Sequence, residues 1–593
     1  MVFLIVLCAS ILLISFFSSE KAYGCSGLVL GKNISPTGRV LAAHNEDDSN
    51  RLLVRHGLIP SRQHTSDSII IAEEESARIP QTPSTFGLFW TEVRNERGLS
   101  NADFFYNDHG VGIFSDSCRQ IRADHEPDIA YGGIGYSLRR IIAERATSAN
   151  HGVEIAIELI EKYGYRDSGR CYIIADANDA WMVQIPHGQH YCAVRIDDNE
   201  AAFIPNHFTI RAGVLENRPF YCSKDLLNYV KRKGWVSAEI CQEKELDFAK
   251  AFQHPDRWRH PFNTFRHRHA LEILTQREWL CDEELPFAIK PEEKITISQV
   301  KAILRSHYEN TPDYSTTNFA GNSPHHSSLR KICAGTTIEG IIADLNPIAE
   351  LTCLWIAMGR PCSQLFIPIH GGVNTLPEEF TPIENPETAL EKHCQRDSDL
   401  LNIDDKNWWN ITQRQTCIDL YHEEIHSLLQ EKLNLWEKEL KEKEEQIRNK
   451  AQKLIKEEKK GEASNILTSW ARQIALESET KMKEVLSSFP IYVAEPHMKE
   501  IRKDDYSSEL EIEIPLREEP LENSIRMGQG GLSTEVWARP IKGSLMKTDQ
   551  GWSLKFRVRE LAEKAHICRA DFWLAGRNIN EKIFVAKSVI TVK

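Results

Sequence analysis

A layered α+β core, followed by a charged helical stretch and an all-β tail, is the fold class this sequence predicts. Three observations carry it. In the first half, short apolar runs bounded by turn residues alternate with segments whose apolar residues have helical spacing. From Cys417 to Phe489 the chain is dense in helix formers and charge. Past Pro490 short strand-like stretches return. With 593 residues the chain can hold more than one domain, and sheets flanked by helices are the layered solution for its first part.

The first element is a leader. Val2 to Phe17 is almost wholly apolar, and Ser18, Ser19, Glu20 and Lys21 lead to Ala22-Tyr23-Gly24-Cys25. Small residues at Ala22 and Gly24 fit the positions a signal peptidase reads, so residues 1–24 are expected to be a signal peptide cut after Gly24. The apolar run is shorter than the roughly 20 residues of a membrane span, and no later segment reaches that length. An uncleaved anchor and a lipoprotein cysteine at Cys25 are the alternatives; lipidation would block the amine that cleavage frees. A mature chain starting at Cys25 carries a thiol and an α-amine on one residue. That amine titrates at roughly 7.7–8.0 and can take the thiol proton, the pairing an N-terminal nucleophile needs.

After Cys25, Leu28-Val29-Leu30 suits a buried strand, Ser35-Pro36-Thr37-Gly38 a turn, and Arg39 to Ala43 the return strand. The hairpin delivers His44-Asn45-Glu46-Asp47 close to Cys25. Further strands are expected at Leu88–Val93, Gly110–Phe114, Arg170–Asp176 and Ala180–Ile185, with helices over Ile134–Ala149 and Val153–Tyr163, the latter ending at Gly164. In the helical stretch, Leu433, Leu440, Ile447 and Leu454 recur every seven residues, too thin a seam for a coiled coil and better read as a helix laid on the core. In the tail, strands are expected at Ser508–Leu516, Leu532–Ala538, Trp552–Val558, Ala570–Leu574 and Ile583–Val592, with a loop around Gly528-Gln529-Gly530-Gly531. The domain reading is thus 25–416 for the core, 417–490 for a charged helical extension, and 495–593 for a β-sandwich-like module that carries no visible chemistry.

Charge narrows the partners. Lys and Arg number 72 against 85 Asp and Glu, a formal charge of −13, with no terminal basic block, which argues against nucleic acid. Fourteen cysteines include Cys8 and Cys25, and the rest lack C-x-x-C pairs, so no zinc site is indicated. His260, His267, His269 and His325-His326 have no metal-ligand spacing and read as surface groups. No metal and no cofactor are expected.

An ordered series of motifs extends beyond the N-terminus: Cys25-Ser26-Gly27, His44-Asn45-Glu46-Asp47, Asn107-Asp108-His109-Gly110-Val111, Gly135-Tyr136 with Arg139 and Arg140, Ala180-Trp181-Met182-Val183-Gln184, Pro205-Asn206-His207-Phe208, Leu304-Arg305-Ser306-His307-Tyr308-Glu309, and Trp355-Ile356-Ala357. The series resembles the cysteine dipeptidases typified by dipeptidase A, relatives of the secernins, from about residue 25 to 490. The resemblance implies an N-terminal-nucleophile hydrolase with a four-layer αββα sandwich that cleaves the C–N bond of dipeptides or short peptides through a thioester on Cys25. It implies that Asp47 orients the terminal amine and that Asn206 supplies an oxyanion donor. His44 and Asn45 fall where substrate-binding residues are expected. His44 departs from the family's usual Arg, or the secernins' Lys: either the site works in mildly acidic surroundings, where the imidazole is charged, or the substrate anchor has moved. Acyl-amide hydrolysis of the penicillin V or bile-salt type is the alternative activity; an inactive secreted binding protein is the alternative class. The expected setting is exported (secreted, periplasmic or lumenal), with a short peptide as the substrate partner. A docking partner for the β module and homo-oligomerisation stay open.

Overall fold

In the computed structural model of the protein, the residues described are 24–593 apart from 49–52, 72, 74, 95–99, 119–128, 256–257, 327–328, 395–405, 532–535 and 566–567. The leader expectation for residues 1–23 therefore lies outside the described residues.

In chain order the core strands are β1 (Ser26–Leu30), β2 (Leu41–Asp47), β3 (Leu53–Ile59), β4 (Leu88–Arg94), β5 (Ser100–Asn107), β6 (Gly112–Ser117), β7 (Arg170–Ala175), β8 (Ala180–Ile185), β9 (Cys192–Arg195), β10 (Ala201–Ile204), β11 (Phe220–Cys222), β12 (Thr337–Asp344), β13 (Cys353–Met358) and β14 (Ile367–His370). They form two sheets. One runs β10-β1-β2-β12-β13-β14; the other runs β11-β9-β8-β7-β6-β5-β4-β3. The period-2 alternation of β1 and β2 explains how they stack. Val29 and Ala42 belong to an apolar cluster shared with Phe114 and Ile173 of the second sheet. Leu28, Leu30, Leu41 and Ala43 point the other way, into a cluster with the helices beyond.

Those helices are α3 (Pro261–Thr275), α4 (Ile297–Arg305), α5 (Lys406–Leu420), α6 (His422–Lys456) and α7 (Lys460–Ser487). On the far face of the second sheet, α1 (Leu138–Arg145) and α2 (Ala149–Tyr163) pack against Trp90, Phe105, Tyr172 and Trp181. Helices, sheet, sheet and helices make the four-layer αββα sandwich.

Three sequence expectations shift. The helix expected over Ile134–Ala149 is shorter and ends at Arg145, because Ser148 adopts extended φ/ψ and its hydroxyl accepts from the His151 N–H, starting α2 as an N-cap. The helical extension starts at Lys406 rather than Cys417. In the tail, Arg526–Gln529 is a strand paired with Cys568–Arg577, not a loop. Of the strand expected at Leu532–Ala538, only residues 536–538 are described, and these hold one isolated bridge, Met527 to Ala538.

The tail builds two sheets, of five and four strands. They enclose their own apolar core, including Leu510, Ile512, Leu554, Phe572 and Ile590. One face continues into the core's helices: Trp537, Trp573, Ala575 and Val585 join the same cluster as Leu420, Ile425 and Trp470.

Candidate active site

The site is organised by the β1–β2 hairpin. Ser26 pairs with Asn45 and Gly27 with His44, so Cys25 sits beside Glu46 at the head of the hairpin. Its Sγ lies 3.2 Å from Glu46 Oε2. At Gly27 the second sheet comes close: a Cβ there would stand 2.7 Å from the Phe114 ring. Only glycine lets β6 approach β1 so tightly.

The Cys25 thiol is buried, and burial followed by the Glu46 carboxyl pushes its pKa far above the ordinary thiol value, more than the His44 hydrogen bond lowers it. A neutral thiol so placed needs a base before it can attack. Glu46 is likewise shifted well upward, first by burial and then by Asp103.

His44 lies between two carboxylates of the facing sheet. Nδ1 is 2.5 Å from Asp103 Oδ1 and Nε2 is 2.6 Å from Asp116 Oδ1, with the ring stacked on Phe114 at 4.7 Å. Burial alone would lower its pKa; the charges of Asp103 and Asp116 outweigh that and hold it well above the usual value. The imidazole thus needs no acidic surroundings to be a cation, and both ring nitrogens are spent inside the protein. Asn45 faces the opposite side of the sheet, where its amide donates to the carbonyls of Leu304 (2.8 Å) and Ile332 (3.1 Å).

Asp47 shares that opposite face, so the strand alternation separates its carboxylate from the Cys25 thiol. It accepts from Arg330 Nη2 and from Thr337 Oγ1, both at 2.5 Å. Burial raises its pKa, and Arg330 and Thr337 pull it back in part. Asn206 follows β10, which flanks β1 on its other side. Its backbone is left-handed (φ 62), a conformation asparagine tolerates better than most side chains. Its Nδ2 donates to Ser117 O at 2.9 Å.

The side chain that ties these pieces together is Arg266 of α3, which no sequence motif singled out. Its guanidinium is fully buried. Nη1 donates to Cys25 O (2.5 Å), Gly24 O (3.3 Å) and Ser26 Oγ (3.0 Å). Nη2 donates to Pro205 O (3.0 Å), Asn206 Oδ1 (2.8 Å) and Asn263 Oδ1 (3.0 Å). Burial, then the neighbouring Arg330, brings its pKa down to about 10, still high enough to keep it charged near neutrality. Glu46, Asp103, Asp116, Arg330 and Thr337 are the other site residues not identified as such from sequence. Glu46 stood inside the quoted motif, but nothing marked it apart.

The histidine reading requires correction. His267 and His269 are buried in α3, and His325 is buried too, rather than lying at the surface. His260 is half-buried and caps α3 through an acceptor contact with the Phe262 N–H. Moreover, His325 lies with His307, Cys333 and Cys362 in one group whose ligand atoms are all within 4.8 Å of one another. Sequence spacing hid the group because its members come from four separate segments.

Comparisons with known proteins place the chain in a family. The family model described as peptidase family C69 matches residues 24–395, more than half of the chain. A dipeptidase of Bifidobacterium longum is 23% identical over 400 residues, covering 60% of this chain and 72% of that protein. A probable dipeptidase B of Lactococcus lactis is 24% identical over 377 residues, 61% and 77% of the two chains, and dipeptidase A of Lactobacillus helveticus is 22% identical over 382 residues, 61% and 78%. Among solved structures, penicillin V acylase from Agrobacterium tumefaciens is similar at 10% identity and a TM-score of 0.26, over 58% of this chain and 86% of that one. With a family match that opens one residue before the cysteine on which the hairpin, Arg266 and Asn206 converge, the chain belongs to peptidase family C69.

Proposed function

We propose that the protein is an exported cysteine dipeptidase that becomes active when residues 1–24 are removed and Cys25 gains a free α-amine. The observation that carries this reading is the grip on the Gly24–Cys25 backbone. Arg266 holds both carbonyls, and Gly24 packs so tightly on Asn206 that a Cβ there would lie 2.3 Å from Oδ1. Removing Gly24 opens space beside Asn206 and leaves an amine at the head of β1. The curated relatives are dipeptidases by name, which supports a short peptide as substrate.

In the reaction, the Cys25 amine takes the thiol proton and Sγ attacks the peptide carbonyl carbon. Asn206 has a second N–H beyond the one given to Ser117, a donor for the developing oxyanion. The C–N bond breaks, the proton passes to the departing amine, and a thioester remains. Water, deprotonated by the same amine, hydrolyses the thioester and restores the thiol. His44, clamped between Asp103 and Asp116, and Asn45, spent on backbone carbonyls, act as positioning residues in this scheme. The Arg330–Asp47 pair secures the end of β2.

The test is a panel of dipeptides and acyl amides offered to a chain that begins at Cys25. Free amino acids should appear from dipeptides, a Cys25→Ala variant should release none, and Cys25→Ser should be strongly slowed. Wild-type turnover by the alanine variant would overturn the proposal; turnover of acyl amides alone would move the activity to the amidase class.

A further inference from the structure

His307, Cys333, His325 and Cys362 converge from different parts of the chain onto one buried point outside the Cys25 site. His307 follows α4, His325 lies in the short turn Pro324–His326, Cys333 precedes β12, and Cys362 lies in the turn Pro361–Ser363 after β13. All four are buried. His307 Nε2 lies 3.0 Å from His325 Nε2, and His325 Nε2 lies 3.0 Å from Cys362 Sγ.

The outer contacts decide what these atoms can do. His325 Nδ1 is 2.6 Å from Asp419 Oδ1, and His307 Nδ1 is 2.6 Å from Glu309 Oε1. A carboxylate on Nδ1 holds the proton there and leaves the Nε2 lone pair facing inward, which is how metal-ligating histidines are oriented. Two such lone pairs 3.0 Å apart, with the Cys362 sulfur 3.0 Å from one of them, share a single point that a proton or a metal ion would fill. The cysteines complete the set: the Cys333 and Cys362 sulfurs and the two ring nitrogens all lie within 4.8 Å of one another. The Cys362 turn is itself fixed, since Arg305 donates to Pro361 O (2.9 Å) and Gln364 O (3.0 Å), and Gln430 donates to Cys362 O (2.7 Å).

From this geometry we infer that His307, His325, Cys333 and Cys362 form a tetrahedral, closed zinc site. Zinc prefers such N/S sets, with Zn–N of about 2.0–2.1 Å and Zn–S of about 2.3 Å, which spaces ligand atoms roughly 3.3–3.8 Å apart. The observed group, with ligand atoms within 4.8 Å of one another, reaches that spacing through small side-chain movements. Binding converts two thiols to thiolates and releases their protons, so two thiolates neutralise the ion and affinity falls as pH falls. With four protein ligands the site has no open position for substrate, and its role is structural. It clamps the segment from 304 to 337, which supplies the Leu304 and Ile332 carbonyls that hold Asn45 and the Arg330 and Thr337 side chains that hold Asp47.

The test uses the full folded chain, stripped with a chelator under reducing conditions and then dialysed against zinc, or against cobalt as a spectroscopic probe. One zinc per chain by elemental mass spectrometry is expected, with thiolate-to-cobalt charge transfer in the cobalt form and zinc-dependent protection of Cys333 and Cys362 from alkylation. The Cys333→Ser and Cys362→Ser variants should retain less than a tenth of the metal. Should they fail to fold, the cobalt spectrum and the alkylation pattern of the wild-type chain decide alone. No stoichiometric metal, a cobalt form without thiolate bands, or a Cys333–Cys362 disulfide in protein never exposed to reductant would overturn the inference.

Discussion

Arg266 connects more of the site than any residue the sequence nominated. Its donors satisfy acceptors on Gly24, Cys25, Ser26, Pro205, Asn206 and Asn263, so it sets the position of Cys25 relative to Asn206. Lysine keeps the charge but has three donors and no planar fork. Arg266→Lys should lower kcat by about 10²-fold with little change in KM, the size of effect expected when reacting groups drift by about 1 Å. Steady-state kinetics would measure this, and an unchanged kcat would contradict it. Cys25, Asp47 and Asn206 could be nominated from the sequence because each stands inside a local motif. Arg266, Asp103 and Asp116 were not, because they arrive by tertiary approach and have unremarkable sequence neighbours. His44 was singled out in the sequence, yet its surroundings were not visible there. Only the facing sheet reveals Asp103 and Asp116, two carboxylates that hold the imidazole as a cation.

At the scale of elements, the hairpin was legible because turn residues separate two apolar runs, and its register follows from which face is buried. Seams were harder. The regular spacing of apolar residues runs through Ala146 and Thr147, but the Ser148 hydroxyl breaks the helix there, and a cap outweighs periodicity locally. The strand Arg526–Gln529 was hidden for a different reason. Gly528 reads as a loop residue, yet a Cβ there would lie 2.4 Å from Trp537 Cδ1. The glycine exists to admit the indole over the sheet, a long-range cause that local sequence does not display. The heptad leucines proved to be a docking seam: Leu433 and Leu440 are buried, and Ile447 and Leu454 pack against the apolar core.

Over the whole molecule, the tail is joined to the core rather than appended to it. Trp573 is buried within the cluster formed by the core's outer helices, and Arg577 donates to Ala320 O at 2.7 Å and pairs with Glu423 at 3.0 Å. Removing a buried tryptophan side chain costs about 3–5 kcal/mol. Trp573→Ala should therefore lower the unfolding free energy by that amount, read as a downward shift of the urea midpoint, while leaving turnover per folded molecule unchanged, since Trp573 lies in the tail and packs on the outer helices. An unaltered midpoint would show that the tail does not brace the helices.

The central claim is that Cys25 works only as the first residue, with its own amine as base. The direct measurement compares dipeptide turnover by two otherwise identical chains, one beginning at Cys25 and one retaining Gly24. The account predicts at least a 10³-fold lower kcat/KM for the longer chain, because its amide nitrogen is no base and Gly24 fills the space against Asn206. Equal turnover by the two chains would contradict it.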